Sequence, residues 1–264
     1  MAVYKQEFAS IGQFYDYICK TPINDAFRWK QLSSSEVCAS RDKFTGTHTF
    51  DEASALMRDG WTDMAKRLNT KLQATAKPAP IMQRKHVLGV SGFQPVVPLY
   101  LAGVPTNMVD VRMVPVKSKI INITKSINYH CGTSAETIID ESVKAMQVVK
   151  QLEAQGYRCN LNVALGVYAD QRYIVAKVCI KRAGEKLNVS KLAFPMVHPS
   201  MLRRLFFRYV EVCPDVTKGF TVGYGMPVAH NMMSKIFQND IVLPAIWDVE
   251  PDAIRTLDDL QASF

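Results

Sequence analysis

Basic and aromatic side chains concentrate between residues 172 and 218, where ten Lys or Arg residues accompany only three acidic residues. Arg204 and Arg208 are one helical turn apart and share a helix face, with Arg203 adjacent and aromatic residues among them. This pattern is typical of a groove for single-stranded nucleic acid, because the charges follow the phosphates while the rings stack on the bases. A solvated helix face with its aromatic rings in the core is the alternative. The residues expected to contact nucleic acid are Arg172, Lys177, Lys181, Arg182, Arg203, Arg204 and Arg208.

A second polar set, Asn122, Thr124 and Ser126, alternates with apolar residues on one strand-like stretch. Residues 118–264 resemble a von Willebrand A-type domain, which begins with such a strand, continues into a helix and carries Asp-x-Ser-x-Ser at the end of the strand. The resemblance implies that these three side chains hold a magnesium ion. Here asparagine replaces the aspartate, and a neutral amide is a weak ligand for a hard divalent cation. Polar residues on an edge strand, without a metal, are the alternative.

The remaining motifs do not predict an enzyme. The glycine-rich stretch from Gly219 to Pro227 lacks the lysine and the hydroxyl residue of a phosphate-binding loop. His198 has no serine, cysteine or acid at a spacing that makes a triad. The six cysteines include no CxxC pair and no zinc-finger spacing, so free thiols are expected. We therefore expect a protein that is not an enzyme and has no cofactor apart from the magnesium ion considered above.

The stretch from 118 to 168 should provide the framework that positions these groups. Alternating Ile121 and Ile123 predict a strand, apolar residues at helical spacing predict a helix over 133–155, and CNLNVALGVY predicts a second strand. Thr133 and Glu136 can form a capping box at the start of the helix. Gly156 supplies a left-handed residue at its end. The stretch therefore predicts a βαβ unit with two parallel strands.

The rest of the chain extends this unit. A helical pattern covers Tyr4 to about Asn69, and two apolar runs interrupted by prolines at 95, 98, 105 and 115 suit edge strands or loops. Later segments predict a two-sided strand over 172–181, a helical stretch broken by Pro195 and Pro199, a late strand and a terminal helix. The fold class is α/β, with a mostly parallel sheet flanked by helices in Rossmann-like or von Willebrand A-like order. We expect a helical N-terminal region and connector over 1–83, and an α/β domain over 84–264.

Composition limits the class of protein. The chain has 264 residues, 48% of them hydrophobic, and a formal net charge of +8. No apolar run approaches the ~18 residues of a membrane span, and the N-terminus lacks the pattern of a secretory signal. A basic surplus of this size favours polyanionic partners or simply aids solubility. We expect a cytoplasmic protein without a membrane partner.

Three motifs together resemble an uncharacterised family of tailed-bacteriophage proteins. They are FDEASALMRDGW, the helix that ends in LEAQGY, and HPSMLRRLFFRYVE with its His-Pro-x-x-Leu-Arg-Arg-Leu pattern, all between about residues 50 and 225. The resemblance implies a phage protein in the cytoplasm of an infected bacterium. It implies no activity.

Two functions are consistent with these observations. The first is a non-enzymatic phage accessory protein that binds nucleic acid, with a preference for single-stranded DNA, in phage transcription or replication. The second is a von Willebrand A-like interaction module whose partner is a phage or host protein, such as an ATPase or an assembly factor. The sequence leaves the oligomeric state open.

Overall fold

A computed structural model of the chain describes residues 2–24, 44–73, 82–115, 119–130, 132–214 and 224–246. The strands are β1 (Ala2–Phe8), β2 (Met82–Gly89), β3 (Gln94–Pro95), β4 (Met108–Pro115), β5 (Ile120–Ser126), β6 (Arg158–Ala169), β7 (Arg172–Lys181), β8 (Met226–Pro227) and β9 (Ile241–Leu243). The helices are α1 (Ile11–Lys20), α2 (Phe50–Asp59), α3 (Thr62–Gln73), α4 (Val97–Leu101), α5 (Ala135–Ala154), α6 (Val189–Val197), α7 (Phe207–Val212) and α8 (His230–Ile236). A π-helical turn, Met201–Phe206, leads into α7.

The central sheet has the strand order β1-β7-β6-β5-β9, and β8 also pairs with β6. The pairs β1–β7, β5–β6 and β5–β9 are parallel, whereas β6 pairs with β7 and β8 in the antiparallel sense. The predicted α/β class, with a mostly parallel sheet flanked by helices, is therefore confirmed. The predicted βαβ unit is also confirmed, because α5 connects the parallel strands β5 and β6.

The start of the chain differs from the prediction. The chain from Tyr4 onward was expected to be helical, but Tyr4 to Phe8 belong to strand β1, which pairs with β7 along its whole length. The reason is a period of two: Tyr4 and Phe8 face inward, while Lys5 and Glu7 face solvent and form an ion pair of 2.8 Å. The helical region that was expected begins only at Ile11.

Specific residues mark the ends of helices α2 and α5. Thr49 caps α2, because its hydroxyl accepts from the Glu52 amide. The predicted cap of α5, Thr133, is wrong: Ser134 is the cap and accepts from the Thr137 amide at 3.1 Å. Glu136, in the first turn of α5, instead forms ion pairs with α3. Gly156 follows α5 with a φ of 97°, as predicted.

The segment after β7 bends at only one of its two prolines. Pro195 lies inside α6, so the predicted break there is wrong. The helix ends at His198, whose backbone is extended because it precedes Pro199. Ser200 precedes the π-helical turn but makes no capping hydrogen bond with its side chain; its hydroxyl instead donates to the Thr45 carbonyl at 2.6 Å.

A second sheet lies between α3 and β5 in the sequence. It has the order β2-β4-β3, with antiparallel pairing throughout, and α4 follows β3. We call residues 82–115 the arm and the other described residues the body. No described arm residue belongs to the hydrophobic clusters that make up the core of the body.

Some predicted elements fall outside the described residues. They include the terminal helix after Pro251, the acidic end of the chain and most of the glycine-rich loop. Within the described ranges, no helix is long and apolar enough to cross a membrane.

Candidate interaction surface

Arg204, a residue expected to contact nucleic acid, is inside the body with an exposed fraction of 1%. Its Nε donates to the Thr47 hydroxyl at 2.8 Å, and one terminal nitrogen donates to the carbonyls of Thr47 and His48 at 2.7 Å. Its guanidinium therefore links the π-helical turn by hydrogen bonds to the segment that precedes α2. In this position it does not reach a phosphate on the surface.

The two neighbouring arginines are also held by the body. Arg203 is buried, stacks on the ring of Phe44 at 4.1 Å and donates to the carbonyls of Phe44 and His130. Arg208 is partly buried, with its Nε 3.7 Å from the carboxylate of Glu211. The predicted exposed basic helix face is therefore wrong, because these side chains point into contacts within the fold.

The remaining basic residues of this set lie along β7. Lys177 forms ion pairs of 2.8 Å with Glu7 and Asp240; burial disfavours its ammonium, but these hydrogen bonds outweigh that effect and raise the pKa of Lys177. Lys181 is buried and contacts Glu153. Arg172 is half-buried, and Arg182 is exposed. The set does not form a continuous basic surface, and nucleic-acid binding stays a prediction.

The three predicted magnesium ligands lie on β5, which is not an edge strand because β6 and β9 flank it. The Thr124 hydroxyl donates to Asp240 at 2.7 Å, and the Asn122 oxygen accepts from Asn160 at 2.8 Å. Ser126 is buried at the end of the strand. The part of the chain that the structure describes contains no cluster of three His, Cys, Asp or Glu residues suited to a metal. Magnesium binding also stays a prediction.

Two buried bases have shifted pKa values. Burial lowers the pKa of His198 to about 4, and its ring accepts a hydrogen bond from the Ser200 amide at 3.1 Å. Burial lowers the pKa of Lys125 to about 7, and its ammonium donates to the carbonyls of Pro244 and Ala245. Through these hydrogen bonds, His198 and Lys125 hold the backbone segments that they contact in place.

The arm differs from the body in what it exposes. Eight of the eleven exposed large hydrophobic side chains in the described ranges belong to it. Most extreme are Leu101, 78% exposed, and Val90, 75% exposed, near the tip of the arm. Isolated surface hydrophobics are ordinary, but a contiguous set marks an interaction site.

The register of the arm places apolar residues on one face. Val109, Val111 and Met113 on β4 face the same side as Leu88 on β2, which is paired with Val109. Phe93 joins them, since its ring lies 6.0 Å from that of His86, the partner of Val111. We define the apolar arm face by five residues: Leu88, Phe93, Val109, Val111 and Met113.

The opposite side of the arm is charged. Lys85, Asp110 and Arg112 lie there, and Arg112 pairs with Asp110 at 3.2 Å. On the apolar side, Arg84 and His86 follow the outer strand β2 and give that face a polar border. An apolar centre with a polar border is the usual anatomy of a protein interface.

The sequence contains a signal for this surface. The run from Val109 to Met113 alternates apolar and charged residues, which indicates a strand with one apolar face. The nearby prolines, which suit edge strands and loops, do not interrupt this alternation. No comparable pattern in the sequence indicates that Arg203 and Arg204 lie inside the body.

Comparison with known proteins places the chain in a family. A family model described as a domain of unknown function, DUF7192, matches residues 2–262. The chain belongs to the DUF7192 family. The match spans both the body and the arm, so the arm is part of the DUF7192 unit. Neither a curated protein nor a solved structure matches the chain.

Proposed function

We propose that this protein is a non-enzymatic assembly protein that self-associates through the apolar arm face. Its setting is the cytoplasm of an infected bacterium, as the resemblance to phage proteins implies. The observation that carries the proposal is a small sheet with one apolar and one charged side, whose apolar side is exposed in the described structure.

The small size of the arm favours a partner that stays bound to the apolar arm face over one that binds transiently. The arm is essentially the β2–β4 hairpin, because β3 contributes only two residues, and an isolated two-stranded hairpin is marginally stable in water. The arm takes no part in the hydrophobic clusters of the body, so the body does not supply that packing among the described residues. The arm therefore needs its partner whenever it is folded, as in an obligate interface.

A second copy of the chain fits this requirement. In a two-fold dimer the same patch meets itself, and an apolar face is complementary to another apolar face. Two such sheets can pack about 10 Å apart, with side chains from both faces between them. The polar border of Arg84 and His86 would remain at the edge, where charges are solvated.

Sedimentation velocity over a dilution series tests the proposal. The wild type should be a dimer, and a Leu88→Ser, Val111→Ser double variant should be a monomer. Because a two-fold dimer carries the substitutions in both copies, it loses four buried side chains worth about 1.5 kcal/mol or more each, so association should weaken by about 10,000-fold. The matched control, Lys85→Ser with Arg112→Ser, changes the charged side of the same strands and should remain a dimer.

Three results would contradict this function. A wild type that is monomeric at about 100 µM has no self-association of the proposed strength. A Leu88→Ser, Val111→Ser variant that stays dimeric shows that another surface joins the copies. Dissociation of the Lys85→Ser, Arg112→Ser control shows that the charged side carries the interface.

A further inference from the structure

A cavity of about 470 Å³ lies in the body, at the carboxyl ends of the parallel strands β5 and β6. Its floor includes Leu165 and Val167 of β6, and the segment from Asn128 to His130, just after β5, forms one side. In open α/β sheets, ligands bind in the crevice at this end of the strands. The volume falls within the range of small-molecule sites, about 300–1,000 Å³.

Aromatic rings form much of the wall. Phe207 and Tyr224 stack in parallel, with ring centroids 3.9 Å apart and planes within 5°. The Tyr224 hydroxyl donates to the buried carboxylate of Glu211, which fixes the ring of Tyr224. Phe44 faces the cavity from the segment before α2. Aromatic walls of this kind favour a flat, unsaturated ligand, because rings pair by stacking or edge contact.

The charge of the cavity has one sign. Arg203 lines it and is fixed by its stacking on Phe44 and by its hydrogen bonds to the carbonyls of Phe44 and His130. None of the described lining residues is acidic. A guanidinium held in a largely apolar pocket attracts an anionic group more strongly than it would in water.

We infer that this cavity binds a small aromatic carboxylate. The ring lies among the aromatic side chains, and the carboxylate lies toward Arg203. The π-helical turn places Arg203 at the cavity while Arg204, the next residue, points to the segment before α2. Single π-helical turns occur often at functional sites. The inference does not depend on dimerisation through the arm.

Isothermal titration calorimetry with 2-naphthoate and neutral 2-naphthylmethanol tests the inference. The carboxylate should bind the wild type at least about tenfold more tightly than the alcohol, because only it gains a charge-assisted hydrogen bond. Arg203→Met should remove most of that difference, and Arg203→Lys should restore part of it. Met226 lies exposed on the cavity lining, so Met226→Trp should block both ligands without disturbing the core, whereas Met226→Ala should bind both.

Several results would overturn the inference. Equal affinity of the two ligands for the wild type removes the role of the positive charge, and this comparison needs no variant. Absence of heat for both ligands at about 1 mM shows that the cavity takes no ligand of this class. Full binding by Met226→Trp places the ligand elsewhere. A Leu88→Ser, Val111→Ser variant that loses binding would place the ligand on the arm.

Discussion

The body and the arm differ in which side chains they bury: the body buries charged side chains, and the arm exposes apolar ones. The body buries Arg204, Lys125 and Lys181, whereas the arm exposes Leu101 and Val90. Each of these three buried basic side chains has hydrogen-bond acceptors around it, which is the condition under which a cation can be buried. The arm has too few layers to bury its own apolar face.

This difference shows that residue type alone does not locate function in this chain. The basic residues that suggested a nucleic-acid groove mostly stabilise the body, and the apolar residues that suggested ordinary strands form an exposed surface. A charged side chain with satisfied partners belongs to the fold. An apolar side chain without a cover points to a partner.

The largest expected effect concerns Arg204. Replacing it with methionine removes the donor to the carbonyls of Thr47 and His48 and to the Thr47 hydroxyl, and it should lower the free energy of unfolding by about 3–5 kcal/mol. Urea denaturation followed by circular dichroism measures this. Arg182→Met, at an exposed position, should change the free energy by less than about 0.5 kcal/mol.

The two arginine variants decide whether the comparison holds. If Arg204→Met unfolds within about 1 kcal/mol of the wild type, the buried guanidinium does not stabilise the body as its contacts indicate. If Arg182→Met is the more destabilised of the two, Arg182 and not Arg204 makes the contacts that stabilise the body. Either result would indicate that Arg204 is exposed, and it would again be a candidate for nucleic-acid binding.

The sequence was most informative where a repeat of residue types spans many positions. The apolar spacing from Ile138 to Leu152 covers more than four turns, so only a helix with one buried face accounts for it. Strand β1 was missed because its seven residues mix Tyr4, Lys5 and Glu7, and because the edge position needs only Phe8 in the core. Short elements at a sheet edge carry too few apolar residues for such a pattern.

The candidate site was less predictable than the fold. The spacing of Arg204 and Arg208 shows that both can lie on one helix face, but not whether that face meets solvent or the segment from Thr45 to His48. That contact joins residues about 157 positions apart in the chain, and no local pattern encodes it. The alternation of apolar and charged residues in β4 is visible in the sequence, but only the fold shows that no described residue of the body covers its apolar side.

The next effect concerns pH and the body alone. His198 has a pKa of about 4 in the folded protein against 6.5 for an unperturbed histidine, because burial disfavours the charged ring. Between these values the unfolded state binds a proton that the folded state does not, so stability falls as the pH is lowered from 6.5 to 4. The loss should be about 3 kcal/mol. Urea denaturation at several pH values in this window measures it.

His198→Asn is the matched variant for this measurement. An asparagine oxygen can still accept the Ser200 amide hydrogen, but it does not titrate. The variant should lose the part of the pH dependence that lies between pH 6.5 and 4. The same slope in the wild type and the variant would show that other groups, and not His198, control acid stability.

The smallest effect on the body is expected from a change in the arm. A Cβ at Gly92 would lie 2.1 Å from the carbonyl oxygen of Val109, which also accepts the Phe93 amide at 2.8 Å. Gly92→Ala should therefore push this turn away from β4, speed amide hydrogen exchange at Phe93 and weaken the dimer. The unfolding free energy of the body should change by less than about 0.5 kcal/mol, since the arm is outside its hydrophobic clusters. Ser91→Ala, the neighbouring control, should leave both exchange and association unchanged. If Gly92→Ala instead destabilises the body by about 2 kcal/mol or more, as a core substitution does, arm and body form one cooperative unit and the contrast between them fails.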